Sequence, residues 1–307
     1  MTIRIAIVGL GKIARDQHLP ALAANPEFDL VATVDPGATP IEGMAHFVDL
    51  ESMLAAGIAV EAVAMCTPPQ IRTELAKQAL SAGLHVMLEK PPAASVSQAR
   101  GLAALTSNGS PTLLTAWHSR EAGAVAPARE WLAGRKIREI TITWREDVRH
   151  WHPGQAWIWR AGGLGVFDPG INALSILTAL IDEPVTLENA QLQIPENCQA
   201  PIAARLGLLA GDAPVSVDLD FLQTGKQTWE IVVETDAGTM LLEDGGSVLT
   251  LPGKPTVSLE DREYERLYRR FADLIAANEG EVELRPFALV ADAFLLGEVE
   301  TVEAFIE

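Results

Sequence analysis

Ile3-Arg4-Ile5-Ala6-Ile7-Val8-Gly9-Leu10-Gly11-Lys12-Ile13-Ala14 opens the chain and decides how the rest is read. The run 3–8 is rich in β-branched residues and stops at a glycine, as a buried strand does. Gly9 to Ala14 then fits G-x-G-x-x-G/A at the passage from strand to helix. Each small residue has a steric reason: Gly9 allows the tight turn, Gly11 lets backbone approach a pyrophosphate, and Ala14 permits close helix–strand packing. The helix N-terminus behind them offers unpaired N–H groups to an anion. A glycine turn alone is a weak signal, but after a strand and at the head of a βαβ unit it predicts dinucleotide binding.

Working outward, the strand FDLVATVD (28–35) ends at Asp35, twenty-one residues after Ala14. A carboxylate there accepts hydrogen bonds from a ribose 2′-OH and repels a 2′-phosphate, so NAD is favoured over NADP. The same Asp can simply initiate the turn before Gly37. VEAVAMC (60–66) breaks at Thr67-Pro68-Pro69, IRTELAKQALSAG (71–83) is amphipathic and closes on Gly83, and HVMLEK (85–90) halts at Pro91-Pro92. SVSQARGLAALTSNG reads as a helix and TLLTAWH as a last strand. Apolar strands alternating with amphipathic helices predict an α/β Rossmann domain, a doubly wound parallel sheet, over 1–118.

Residues 119–307 change character. Glu139–Asp147 alternates, placing Ile140, Ile142, Trp144 and Glu146 on one face and Thr141, Thr143 and Arg145 on the other. Several strands without intervening helices follow between about 185 and 251, so this part is predicted to be an α+β domain with an open, mainly antiparallel sheet. It is expected to bind substrate and, through that sheet, to support a homo-oligomer. Helices are expected near 260–277 and 287–305.

Composition narrows the function. The 307 residues carry 23 Lys plus Arg against 41 Asp plus Glu, a net charge of −18. Such a surface repels phosphate backbones and anionic lipid, which argues against nucleic-acid and membrane partners. Cys66 and Cys198 form no CxxC pair, so neither a disulfide framework nor a thiolate zinc site organises the fold. The N-terminal run reads as a strand rather than a signal peptide, and a cytoplasmic location is expected.

Lys90 ends a strand at the carboxyl edge of the sheet, where open α/β sheets bind ligands. Paired with Glu89, it can orient a substrate hydroxyl near a nicotinamide. Gly9–Ala14, Thr67-Pro68-Pro69, Glu89-Lys90-Pro91 and the downstream sheet resemble the glucose–fructose oxidoreductase/inositol dehydrogenase (Gfo/Idh/MocA) family over essentially the whole chain. Gly11–His18, Ala116–Arg120, Trp151–Gln155 and Gly163–Asn172 resemble, more narrowly, the branch that oxidises L-arabinose and D-galactose at C1.

The resemblance implies NAD(P)-dependent oxidation of an aldopyranose (L-arabinose, D-galactose or D-fucose) to its lactone. It places Gly9, Gly11, Lys12, Ile13, Asp35, Thr67, Pro68, Glu89 and Lys90 at the cofactor, and Glu146 and His152 at the sugar. Asp168 and Asn172, four apart, share a helix face if both are helical. Asp-Pro is equally what an N-cap followed by N1 looks like. The resemblance favours catalysis, because the wider family has an Asp-x-x-x-His pair here for proton transfer. This chain has Asn172 at the histidine position, so Asn172 is expected to position the anomeric hydroxyl, leaving Asp168 or Lys90 as general base.

His118, at the end of the last Rossmann strand, is a further candidate for the pocket. Two histidines at i, i+2 on one strand face, His150 and His152, with Glu146 invite a zinc reading, but no open-site signature accompanies them and no metal is expected. Trp144, Trp151, Trp157 and Trp159 suit the C–H faces of a sugar and equally suit a core. His18, His46 and His85 are read as structural. The alternatives to an aldose dehydrogenase are a cyclitol dehydrogenase, disfavoured by Asn172, and a sugar-sensing regulator, disfavoured by Lys90 and Asp168.

Overall fold

The computed structural model describes residues 2–106 and 111–307. By its internal contacts the chain forms two compact units. One runs up to Trp117 and resumes over Tyr264–Glu283; the other comprises His118–Glu263 and Leu284–Glu307.

The first unit is built on strands β1 (Ile3–Val8), β2 (Phe28–Val34), β3 (Ala45–Phe47), β4 (Ala62–Met65), β5 (His85–Glu89) and β6 (Leu113–Ala116). They lie in the order β3-β2-β1-β4-β5-β6, and every neighbouring pair is parallel. This is the doubly wound sheet that the sequence predicts. Helices α1 (Leu19–Ala24), α2 (Leu50–Ala55), α3 (Pro69–Ser81) and α4 (Val96–Leu105) connect the strands. The end of the SVSQARGLAALTSNG segment, 107–109, lies outside the described residues.

Because helices cover both faces, successive residues of a strand enter opposite cores. Ile5 and Ile7 of β1 join one cluster with Met87, Tyr268 and Phe271, whereas Ala6 and Val8 join Val63, Met65 and Leu88 in the other. The helix ahead of α1 begins at Lys12, and its stretch Ala14–His18 has the wider π-helical winding. Pro20, two residues beyond His18, has no N–H to give to a carbonyl in that turn.

In the second unit α5 (Val125–Leu132) precedes β7 (Ile137–Arg145), which leads into the single turn α6 (Val148–Trp151) and then α7 (Phe167–Leu180). Strands β8 (Val185–Pro195), β9 (Ala203–Ala210), β10 (Ala213–Asp220), β11 (Thr228–Thr235), β12 (Gly238–Glu243), β13 (Val248–Thr250) and β14 (Val257–Ser258) follow. The chain ends with α8 (Glu263–Ala277), α9 (Arg285–Leu296) and β15 (Glu298–Val302). The nine strands order as β14-β13-β12-β11-β7-β10-β9-β8-β15. Only β7–β10 and β8–β15 pair in parallel, so the sheet is mainly antiparallel, as predicted.

Two features depart from the linear reading. The segment Tyr264–Glu283 packs with the first unit, because Tyr264, Leu267, Tyr268, Phe271 and Leu274 make a helical apolar stripe that joins the Ile5/Ile7 core. Its end also lies against β6, with the Glu281 N–H donating to Leu113 O at 2.8 Å. The expected helix over 287–305 stops at Leu296, and β15 takes up the β-branched alternation Glu298-Val299-Glu300-Thr301-Val302 to pair with β8.

The turn after β1 has a sharp steric requirement. Gly9 has φ +93°, and a Cβ on it would sit 2.8 Å from Cys66 C and Thr67 N, whereas a Cβ on Gly11 would meet nothing within 4 Å. Gly9→Ala is therefore expected to lower the unfolding free energy by about 2–5 kcal/mol, from left-handed backbone plus overpacking. Gly11→Ala should shift it by less than about 1 kcal/mol. Urea denaturation of the two variants checks the contrast; equal losses would contradict it.

Candidate functional site

In the first unit the sequence-predicted cofactor residues gather at the carboxyl ends of β1, β2, β4 and β5. The Leu10 N–H donates to Asp35 Oδ2 at 2.9 Å, and the Gly37 and Ala38 N–H groups donate to Asp35 Oδ1 at 2.8 Å. Burial works to raise the Asp35 carboxyl, but these three amides outweigh it and hold it below its ordinary value. Asp35 thus does initiate the turn, and of about four acceptor positions on a carboxylate one remains for a ribose hydroxyl. Thr67 is buried beside Gly9, and its Oγ1 has no hydrogen-bond partner among the described residues. Lys12 Nζ pairs with Asp16 at 2.5 Å, Ile13 packs at the edge of the core, and Pro68 is exposed at the start of α3. An open glycine backbone, a helix N-terminus and an orphaned buried hydroxyl together fit a dinucleotide.

Glu89 and Lys90 close β5. Lys90 is half-buried, whereas Glu89 is buried and its Oε1 lies 3.0 Å from His18 Nε2. The Tyr264 hydroxyl donates to the same oxygen at 2.7 Å, and the Lys90 N–H donates to Oε2 at 2.9 Å. His18 Nδ1 lies 2.7 Å from the Tyr268 hydroxyl. Burial disfavours charge on His18, but the adjacent Cys66 and Tyr268 groups and the Glu89 carboxylate outweigh it and raise the imidazole well above its ordinary range. Burial pushes the Tyr268 phenol up to about 12. The Arg72 guanidinium donates to the carbonyls of Thr67, Glu89 and Pro91. Sequence reasoning missed Arg72, Tyr264 and Tyr268. His18, read as helix packing, also partners Glu89.

The second unit brings Glu146, His152 and Asp168 together. His152 Nε2 lies 3.2 Å from Glu146 Oε1, and His152 Nδ1 lies 3.6 Å from Asp168 Oδ2. Neither contact is aligned as a hydrogen bond, so Glu146 Oε1 and His152 Nδ1 are buried polar atoms without a hydrogen-bond partner among the described residues. Trp229 Nε1–H holds the other Glu146 oxygen at 3.0 Å, and Trp229 stacks on Trp144 at 5.8 Å. Trp229 is a further contributor that sequence reasoning did not single out. The β7 alternation holds: Ile140, Ile142, Trp144 and Glu146 are all buried.

Asp168 and Asn172 both lie on α7, but the helix begins ahead of them. Val166 is its N-cap and makes no side-chain cap bond, so the N-cap reading of Asp168 is corrected. Gly165, at φ +54°, starts that turn earlier than the Asp-Pro pair suggests. The supposed i, i+2 strand face of His150 and His152 is also corrected, because residues 148–151 form the turn α6. His150 is exposed and packs its ring edge-on to Trp151. Among the described residues no group of three or more His, Cys, Asp or Glu is arranged to hold a metal ion. His118 follows β6 in a short turn, and its Nδ1 is engaged by Glu263. His46 and His85 bond to Thr33 Oγ1 and to the Thr112 N–H, respectively. No helix among the described residues is long and apolar enough to cross a membrane.

The sequence model of GFO_IDH_MocA, an oxidoreductase family with an NAD-binding Rossmann fold, matches residues 3–114. The galactose 1-dehydrogenase of Pseudomonas fluorescens is 44% identical, and the match covers 99% of each chain. The crystal structure of D-galactose-1-dehydrogenase from Rhizobium etli superposes with a TM-score of 0.92 at 50% identity, covering 99% of this chain and 98% of that one. The 3-ketoreductase KijD10 from Actinomadura kijaniata, in complex with TDP-benzene and NADP, shares the fold at 18% identity and a TM-score of 0.84, covering 98% and 100%.

The His18–Glu89 pair has a measurable consequence. A folded-state pKa raised above the unfolded value of about 6.5 stabilises fully below that pH, and the contribution is lost as pH rises through the folded value. The unfolding free energy is therefore expected to decline from near neutral pH upward. His18→Gln should abolish that decline and cost about 3–5 kcal/mol by leaving a buried carboxylate without its counter-charge. Urea titrations between pH 6 and 9.5 check both points.

Proposed function

The chain belongs to the GFO_IDH_MocA oxidoreductase family, and from that premise we propose that it oxidises an aldopyranose at C1 to the aldonolactone with NAD or NADP. D-Galactose and L-arabinose are the proposed substrates, with D-fucose a third. The observation that carries this reading is the Glu146–His152–Asp168 cluster. It is a buried, incompletely hydrogen-bonded polar patch beside stacked tryptophans, in a chain whose full length is similar to two galactose 1-dehydrogenases. A sugar matches it chemically, with hydroxyls for the carboxylates and imidazole and C–H faces for indole rings.

When bound, the nicotinamide supplies the hydride acceptor. Gly9, Gly11, Lys12, Ile13, Thr67 and Pro68 would hold the dinucleotide, and the remaining acceptor position of Asp35 would take the ribose hydroxyl, favouring NAD. At the sugar, the bond from C1 to hydrogen breaks with its electron pair, and the anomeric O–H proton passes to the Asp168 carboxylate or to the Lys90 amine. Asn172 cannot exchange a proton near neutral pH and would orient that hydroxyl. Glu146, His152 and His118 would bind the others. The first unit is thus proposed as the dinucleotide-binding domain, and the second as the substrate-binding domain, whose open sheet is proposed to support a homo-oligomer.

The test is an initial-rate assay of reduced nicotinamide with each aldose and with NAD and NADP separately. NAD is expected to give the higher kcat/KM. Lys90→Ala and Asp168→Ala should each lower kcat by at least about 10²-fold, the usual share of a proton-transfer group. Near-wild-type turnover in both variants would overturn the site assignment. Silence of the wild type with every aldose would overturn the reaction and favour a sugar sensor.

A further inference from the structure

The proposed reaction gives Lys90 a task but does not account for the buried carboxylate just before it. Glu89 is 3% exposed at the end of β5. Burying a carboxylate costs far more than burying an aliphatic side chain of the same volume, and paired buried ions trade stability for fixed geometry. The neighbouring strand β4 shows that the sheet does not require such a device: it ends in buried Met65, and half-buried Cys66 follows.

The Glu89 partners arrive from separate parts of the first unit. His18, 3.0 Å from Oε1, comes from the π-wound stretch behind the glycine turn, and Tyr264, donating to the same oxygen at 2.7 Å, comes from α8. The second oxygen accepts the N–H of Lys90 itself at 2.9 Å. From the other side Arg72 of α3 ties the carbonyls of Glu89 and Pro91 to that of Thr67. The backbone on both sides of the Lys90 Cα is thereby fastened: its own N–H on one side and the Pro91 carbonyl on the other.

We propose that Glu89 is a positioning residue for Lys90, and that with His18 and Tyr264 it fixes the strand end from which the Lys90 side chain departs. The proposal rests on the catalytic role given to Lys90 above. Two properties of Glu89 are used: its length, which lets one oxygen reach the Lys90 amide, and its charge, which holds His18 and Tyr264. Glu89→Gln keeps the length and removes the charge. Glu89→Asp keeps the charge and shortens the reach. Tyr264→Phe removes a single donor and leaves the ring in the core.

The experiment uses the full chain with NAD and D-galactose. In Glu89→Gln, kcat is expected to fall by between about 10-fold and 100-fold, as for a misplaced reacting group. The sugar KM and the NADH dissociation constant should stay within about threefold of wild type. Tyr264→Phe should lose less, in the same direction, and Glu89→Asp should recover part of the loss. Amide hydrogen exchange at Lys90, read without any sugar, is expected to accelerate in Glu89→Gln while the melting temperature shows the protein folded. A folded Glu89→Gln with wild-type kcat, or one whose kcat loss is matched by an equal loss of NADH affinity, overturns the proposal. If the wild type oxidises no aldose, the reading of function fails separately, and Lys90 exchange decides alone: faster exchange in Glu89→Gln supports positioning, and an unchanged rate overturns it.

Discussion

The architecture of the first unit depends on one close approach of backbone to backbone. At Gly9 the chain leaves β1 so near to the end of β4 that a single Cβ would collide with Cys66 and Thr67. Because that atom is missing, the Gly9 N–H reaches Val34 O at 2.8 Å and the Leu10 N–H reaches Asp35, so the ends of β1, β2 and β4 are drawn to one point. The helical run then starts at Lys12, early enough to carry His18 beneath Glu89. The proposed dinucleotide cradle and the proposed support of Lys90 thus share one turn.

The second unit holds polar groups in an apolar surround. Glu146 follows β7 directly and continues the buried alternation of Ile140, Ile142 and Trp144, so the course of the strand carries the carboxylate inward. An indole N–H satisfies one of its oxygens, and the imidazole of His152 lies near the other without an aligned bond. A buried polar atom left unsatisfied costs about 1–3 kcal/mol, so such a cluster is stable as a resting arrangement only at the expense of the fold. Under the proposed function, a ligand rich in hydroxyls would recover that cost, which an apolar molecule of the same size would not.

The elements that were legible in the sequence are those whose cause is local. Gly9, Gly11 and Ala14 carry their steric reasons within six residues, and the alternation of residues 139–147 fixes which side chains of β7 turn inward. The return of Tyr264–Glu283 to the first unit was not legible, because an apolar stripe states that a helix is buried but not against what. Arg72 lies in an amphipathic helix, yet it is buried by reaching the Thr67 carbonyl just ahead of that helix and the Glu89 and Pro91 carbonyls at the end of β5. For Asp168 the local signal misled: Asp-Pro has the form of a cap, but Gly165 can take the left-handed turn, and the helix starts before it.

Asn172 shows how a departure from a family pattern is to be weighed in three dimensions. On α7 it removes an imidazole from the position one turn after Asp168, and on sequence alone that leaves the carboxylate without an imidazole on its helix face. The fold supplies one from elsewhere: His152, just past α6, lies 3.6 Å from Asp168 and 3.2 Å from Glu146. The carboxylate and the imidazole that a pair at i, i+4 would place on one helix come here from α7 and from the segment following β7. The amide at 172 offers a hydrogen-bond donor and an acceptor, while an imidazole still adjoins the aspartate.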